Sequence, residues 1–365
     1  MNNLKINISG KEIQANRPEP IISDLDVVPF NKRMDINYAV ESLLEGYYVL
    51  VMDFYSVGLE ILNELKNFLN KKYSNKTFKS QREFRSKFHN LSNKILLEVN
   101  NNKLAVKKAP EIGWIEILYP GLDNFLLPFP QIQGLNSSWQ WYKKGLFVPV
   151  LNKKIHPWFG TYFPTRFEHL ELFDNWLKNY KGKKKSAFDI GIGSGILSFQ
   201  MLNNGFEKIY ATDINPNAII GLDYEIKNNN SYQNINLFYG NLFADCNIKT
   251  DLIIFNPPWI PASHNTAGID KAIYYDENLF KDFFTQAKQH LNPKGKIVII
   301  FSNLAEITNV TEKHPIKTEL SEGGRFKKEL FIQKNVGKAS KKTKRNQNWR
   351  KPEMVELWVL AQIKL

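Results

Sequence analysis

Phe188-Asp189-Ile190-Gly191-Ile192-Gly193-Ser194-Gly195 joins a short apolar run to the helical pattern that follows it. A glycine-rich loop between a strand and a helix is a ligand-binding device, because glycines reach positive φ and let the backbone approach a ligand closely. The spacing is not the dinucleotide Gly-x-Gly-x-x-Gly. It is Asp-x-Gly-x-Gly-x-Gly, with an acid where the strand ends. Asp189 in that place repels a pyrophosphate but suits the ammonium of an amino-acid ligand. Gly191, Gly193 and Gly195 therefore favour a zwitterionic cofactor over NAD.

Further along, the pattern keeps alternating between strand and helix. Residues 208–212 read as a strand ending at Asp213, whose carboxylate can accept both hydroxyls of a ribose. Its plainer role would be to cap the helix beginning near Pro216. A third strand, 235–239, leads to Gly240-Asn241, where Asn241 can hydrogen-bond an adenine edge. A fourth, 252–255, stops at Asn256-Pro257-Pro258-Trp259. Two prolines cannot donate to a sheet ladder and stiffen the backbone. They project Asn256 and Trp259 from a strand's carboxyl end, where ligands bind in open α/β sheets. Taken alone, Trp259 could equally pack into the core.

Helices are expected at 168–180, 195–204, 218–227 and 279–290, with a strand at 296–301. Strands alternating with helices imply an α/β, doubly wound, mostly parallel sheet. Residues 329–332 and 355–363 would close it as an antiparallel pair, leaving a basic excursion at 334–351. Towards the amino terminus the pattern changes. Residues 1–35 read as a polar arm and 36–150 as a helical or mixed accessory module, with the catalytic domain occupying 151–365. Within the module, 36–73 and 82–99 show helical spacing, and 115–119 and 125–127 read as strands. The segment 131–142, rich in amides and aromatics, suits a domain interface better than a base-stacking surface.

The chain has 365 residues and a formal charge of +13. Eight Lys/Arg and no acid fall within 334–351, and a second basic stretch runs over 71–94. Clustered cations suit a polyanion, most simply nucleic acid, although such runs are often only solvated surface. A single cysteine, Cys246, excludes an intramolecular disulfide and a cysteine-cluster metal site, so no metal is expected. No apolar run is long enough to span a membrane. A reducing, cytoplasmic compartment is the default expectation.

Residues 186–305 resemble a class I S-adenosylmethionine-dependent methyltransferase, in the branch that carries Asn-Pro-Pro-aromatic after the fourth strand. Asn256-Pro257-Pro258-Trp259-Ile260-Pro261 is especially similar to the release-factor glutamine methyltransferases, and the branch also holds enzymes that methylate amino groups of adenine or guanine. Thr165 and Glu168 fall in a segment similar to the Pro-x-x-Glu that precedes the cofactor loop in those relatives. The resemblance implies a seven-stranded Rossmann-like sheet, with S-adenosyl-L-methionine held by Asp189, Gly191, Gly193, Gly195, Asp213, Asn241 and Asn256. Asn241 stands where many members have Asp, and Trp259 where Tyr or Phe is more usual.

The implied chemistry is transfer of a methyl group to a planar amino or amide nitrogen. Asn256 and the Pro257 carbonyl would accept hydrogen bonds from the target NH2, Trp259 would stack on its plane, and Thr165 and Glu168 would contact the substrate. A nucleobase amine in RNA, or in DNA, is the favoured acceptor, gripped through 71–94 and 334–351. A protein glutamine or a small molecule is the alternative acceptor. A nucleic-acid-binding protein that keeps the fold without catalysis is the competing non-enzyme reading.

Overall fold

The computed structural model describes residues 3–73, 78–262, 273–337 and 352–363. The chain divides into two units. One is built from Ala15–Lys144, the other from Lys5–Gln14 together with Gly145–Leu365. The first hairpin, β1 (Lys5–Ile8) and β2 (Lys11–Gln14), thus belongs to the second unit. Within the arm expected over 1–35, the described hairpin at Lys5–Gln14 is therefore attached, with Ile8 and Ile13 buried.

The first unit has a sheet of its own, wider than the strand runs expected in a helical or mixed module. Strands β3 (Val27–Phe30), β4 (Tyr48–Val51) and β5 (Ile95–Asn100) run parallel. Both β6 (Lys103–Leu104) and β7 (Asn124–Pro128) pair with β5 antiparallel. The helix expected over 36–73 is interrupted. Helix α1 (Ile36–Glu45) ends at Gly46, which takes φ 104°, β4 follows, and α2 (Tyr55–Lys72) resumes the helix.

The second expected helix is likewise shorter. Helix α3 (Phe78–Ser92) stops before Ile95, and the apolar run that seemed to extend it is β5. The strand expected at 115–119 is instead the short helix α4 (Trp114–Leu118). The aromatic segment forms α5 (Phe129–Lys144), in which Trp139 and Tyr142 pack against Trp114 at ring centroid distances of 5.3 and 4.7 Å.

The second unit continues with a small hairpin, β8 (Leu146–Val148) and β9 (Lys153–Ile155), and then α6 (Glu168–Asn179). The alternation expected from sequence follows. It comprises β10 (Ser186–Ile190), α7 (Ile196–Asn203), β11 (Lys208–Asp213), α8 (Pro216–Lys227), β12 (Ile235–Tyr239) and β13 (Thr250–Phe255). After a short pair, β14 (Ile260–Pro261) and β15 (Tyr274–Tyr275), come α9 (Leu279–His290) and β16 (Leu291–Ser302). The chain closes with β17 (Phe326–Asn335) and β18 (Met354–Gln362).

Seven strands lie in the order β12-β11-β10-β13-β16-β18-β17. The first five are parallel, and β18 is antiparallel to both β16 and β17. Every residue of β13 is buried, as a strand covered on both faces requires. From β10 the chain steps outward to β11 and β12, then returns to β13 on the other side of β10. Ligands in open α/β sheets bind at such a reversal, beyond the carboxyl ends of the strands.

Candidate active site

The loop after β10 is built for close approach. Gly191, Gly193 and Gly195 take φ of 71°, 52° and 80°. A methyl group added at Gly195 would lie 2.7 Å from Leu222 Cδ2 and 2.9 Å from Phe199 Cζ, so this glycine lets α7 and α8 close on each other. At Gly191 the same methyl group would meet nothing within 4 Å. That side of the loop faces open space, where a ligand's atoms can lie against the backbone. The loop is tied to β11 by Ile192 N–H donating to the Thr212 carbonyl at 2.8 Å and Gly193 N–H donating to Asp213 Oδ2 at 2.8 Å.

Asp189 is fully buried. Ser198 Oγ donates to Asp189 Oδ2 at 2.6 Å, while Oδ1 is buried without a hydrogen-bond partner among the described residues. Burial pushes the carboxyl up to about 7, against the opposing pull of the Ser198 hydrogen bond. A carboxylate that is desolvated and half-satisfied suits an incoming cation. Ser198 had not stood out in the sequence, yet it is the residue that orients this acid from α7.

Asp213 ends β11 with both oxygens engaged. Oδ1 accepts from Asn215 N–H at 2.8 Å and Oδ2 from Gly193 N–H. The cap of α8 is Asn215, whose side chain accepts from Asn217 N–H at 3.1 Å. Asp213 is therefore not the helix cap. It joins the loop to its own strand. Burial raises its carboxyl above the usual range, opposed by hydrogen bonds from Asn215, Gly193 and Ile214. Gly240 N–H donates to the Asp213 carbonyl at 3.0 Å, which brings the start of the next loop alongside, with Asn241 exposed just beyond.

Phe255 is paired in register with Ile190, so Asn256 leaves the sheet beside Gly191. Sequence spacing could not show that alignment. Asn256 is half-buried, and its Oδ1 accepts from the Trp259 indole N–H at 3.2 Å. Trp259 is half-buried and meets His169 edge-on, with ring centroids 6.0 Å apart at 87°. The tetrapeptide thus folds back on itself, and the oxygen expected to meet a substrate amine holds Trp259 instead. His169, not singled out from sequence, is the support behind Trp259. Burial lowers it to about 4, so its imidazole is neutral near pH 7.

Thr165 is exposed on the segment before α6. Glu168 has a different partner from the one expected, since its Oε1 accepts from Gly337 N–H at 2.8 Å. Arg166 pairs with the buried Glu353 at 3.4 Å, and Lys334 pairs with Glu171. Because β17 and β18 are antiparallel, β17 ends and β18 begins on the edge where the glycine loop lies. The start of α6 fastens both to that edge.

Of the basic run at 334–351, Lys334 is accounted for by that pair, and residues 338–351 lie outside the described residues. In the 71–94 stretch, Lys94 donates to the Gly46 carbonyl at 2.6 Å, while Arg85 and Lys87 are exposed on α3. No metal-ligand cluster of three or more His, Cys, Asp or Glu occurs among the described residues. No described helix is long and apolar enough to cross a membrane.

A family model described as "Methyltransferase small domain" matches residues 171–327. A putative protein N5-glutamine methyltransferase of Methanocaldococcus jannaschii is 32% identical over 149 residues, covering 38% of this chain and 74% of that protein. A ribosomal protein L11 methyltransferase of Lactobacillus johnsonii is 30% identical over 146 residues, covering 39% of this chain and 40% of that one. A ribosomal RNA small subunit methyltransferase C of Haemophilus influenzae is 30% identical over 232 residues, covering 56% of this chain and 66% of that one. The chain thus spans less than two thirds of the last two.

Proposed function

The chain belongs to the class I S-adenosylmethionine-dependent methyltransferases, and we propose that it methylates a planar amino nitrogen, that of a base in RNA. The observation that carries this reading is the register of β10 and β13, which sets Asn256 beside the open face of Gly191 at the reversal of strand order. The residues present fit the methyl donor. Asp189 offers a buried, half-satisfied carboxylate to its ammonium, and Asp213 stands at the end of the next strand, where a carboxylate can meet its ribose. Asn241 would meet its adenine. Bound there, S-adenosylmethionine supplies an electrophilic methyl group on a sulfonium.

The chain's own part is positioning. Asn256 Oδ1 and the Pro257 carbonyl accept the two N–H bonds of the target and turn the nitrogen lone pair towards the donor. For that, Trp259 must exchange its bond to Asn256 for a face-on contact with the base. A stack of this kind is worth roughly 1–3 kcal/mol. No strong general base is needed, because the proton can leave after the C–N bond has formed. Rate enhancement then comes from orientation and fixed dipoles.

Asn256→Ala should abolish methyl transfer while leaving S-adenosylmethionine affinity within about twofold, since removing donors or acceptors aimed at a transition state typically costs ~100-fold or more. Near-normal turnover by the variant would refute the assignment. RNA is favoured as acceptor by the charge of +13. A glutamine side chain is the second reading, supported by the identity to the Methanocaldococcus protein. Labelled-methyl transfer onto separated RNA and protein fractions decides between them. A chain without calorimetric binding of S-adenosylmethionine would instead be a nucleic-acid-binding protein that keeps the fold alone.

A further inference from the structure

We propose that the first unit carries a binding surface for single-stranded RNA at the carboxyl ends of β3 and β4, centred on Phe54. The proposal deepens the RNA reading above and rests on it for the biological partner. Its evidence is independent of the catalytic loop and of both basic stretches discussed so far.

Parallel strands release their chains on one edge, and there β3 leads to Lys32 and Arg33 while β4 leads to Asp53 and Phe54. Asp53 knits the edge together. Its Oδ2 accepts from Lys32 N–H at 2.9 Å, its Oδ1 from Phe54 N–H at 2.8 Å, and its carbonyl from Lys107 N–H at 2.7 Å. Lys107 arrives from a separate part of the chain, followed by Lys108 in a left-handed conformation, φ 53°. The outcome is a half-buried ring with two ammonium groups over it, Lys32 Nζ at 6.0 Å and Lys107 Nζ at 5.8 Å from its centroid.

Lys32, Arg33, Lys107 and Lys108 are all exposed, and none is held in an ion pair among the described residues. Asp53, at the same edge, spends its oxygens on backbone amides. Cations free of ion pairs and resting over an aromatic ring match a strand of nucleic acid, whose phosphates draw the ammonium groups off the ring while a splayed base takes their place. A duplex hides its base faces and an acidic polypeptide has none. Single-stranded RNA is the occupant that uses both halves of the surface.

The test is equilibrium binding of the full chain to an unstructured RNA oligonucleotide across a salt series, with no methyl donor present. Lys32→Gln/Lys107→Gln should bind about 10- to 30-fold more weakly at 0.1 M salt, with a log–log salt slope shallower by about 1.4, as two lost phosphate contacts on a single strand require. Phe54→Leu should weaken binding roughly fivefold or more while leaving that slope unchanged. Unchanged binding and slope in the double variant would overturn the proposal. So would equal affinity for duplex DNA, equal competition by polyglutamate, or a loss that appears only in Arg85→Gln/Lys87→Gln on α3.

Failure here is separable from failure of the catalytic reading. A parent chain that binds the oligonucleotide through this surface yet transfers no methyl group to RNA would refute the RNA acceptor and leave the surface standing. A parent chain that transfers methyl groups to protein but binds no RNA would overturn this surface and the RNA acceptor together, leaving the methyltransferase chemistry in place.

Discussion

A buried carboxylate bonded through only one oxygen costs the fold stability that a bound cation can restore, and Asp189 is in that state. Its carboxyl, pushed up to about 7 by burial, holds a proton in the folded chain at pH values where an unfolded aspartate, near 3.8, has lost it. Its contribution to stability without ligand should therefore fall as pH rises from about 4 to about 7, while that of the buried His169, lowered to about 4, rises as pH climbs towards 6.5. Asp189→Asn should remove this carboxyl's share of the dependence, leaving that of Asp213, and raise the melting temperature at pH 8. The same variant should weaken S-adenosylmethionine binding by about tenfold or more, the cost of a lost charged hydrogen bond. Melting curves between pH 5 and 8, with calorimetric titration of the donor, read both effects. Donor affinity in the parent should decline below pH 7, because the carboxyl must shed its proton to meet a cation. At Trp259 the expectation turns on one N–H. Trp259→Phe keeps a stacking face and frees Asn256, so turnover should stay within about threefold, whereas Trp259→Ala should lose roughly 5- to 150-fold in kcat/KM, the equivalent of 1–3 kcal/mol of stacking. Steady-state kinetics on whichever fraction accepts the methyl group separates the two.

Between elements, the glycine loop has two distinct jobs, and single substitutions should separate them. Gly195→Ala places a methyl group 2.7 Å from Leu222 and 2.9 Å from Phe199 at a φ of 80°. It should destabilise the second unit by ~2–4 kcal/mol in denaturant unfolding, combining left-handed strain with overpacking. Gly191→Ala has open space and only the strain of φ 71°, so its main loss should be in donor affinity measured by calorimetry. The loop's place between β10 and α7 was legible because apolar runs, glycines and helical spacing change sharply there. The Asn256–Trp259 bond, the Ser198 contact and the use of Glu168 to hold Gly337 depend on side chains meeting across elements, which spacing along one chain does not encode. In the first unit, local pattern misled. Tyr48–Val51 continued a three-to-four spacing although its buried positions, Val49 and Val51, alternate as in a strand. Ile95–Leu97 extended α3 on paper but is buried on consecutive positions in β5.

At the scale of the whole molecule, the catalytic unit is discontinuous in sequence, and that has a measurable outcome. The hairpin β1–β2 belongs to this unit although Ala15–Lys144 separates it from the rest. Ser9 Oγ donates to the Leu237 carbonyl at 3.1 Å, Lys11 pairs with Asp245, and Ile13 is 1% exposed. The hairpin thereby attaches to β12, an edge strand of the seven-stranded sheet, where uncovered backbone groups invite pairing with another chain. Ile13→Ala lies far from the glycine loop in sequence, yet it should lower the stability of the unit that binds the donor by ~2–4 kcal/mol. Calorimetric melting can identify that unit, since S-adenosylmethionine at 100 times its Kd should stabilise it by about 2.7 kcal/mol. The transition raised by the donor should be the one lowered by Ile13→Ala. If the variant instead lowers a transition that the donor leaves unmoved, the hairpin belongs energetically to the first unit. A chain begun at Gly145 should melt below the full-length protein and self-associate through β12, which light scattering at matched concentration would detect.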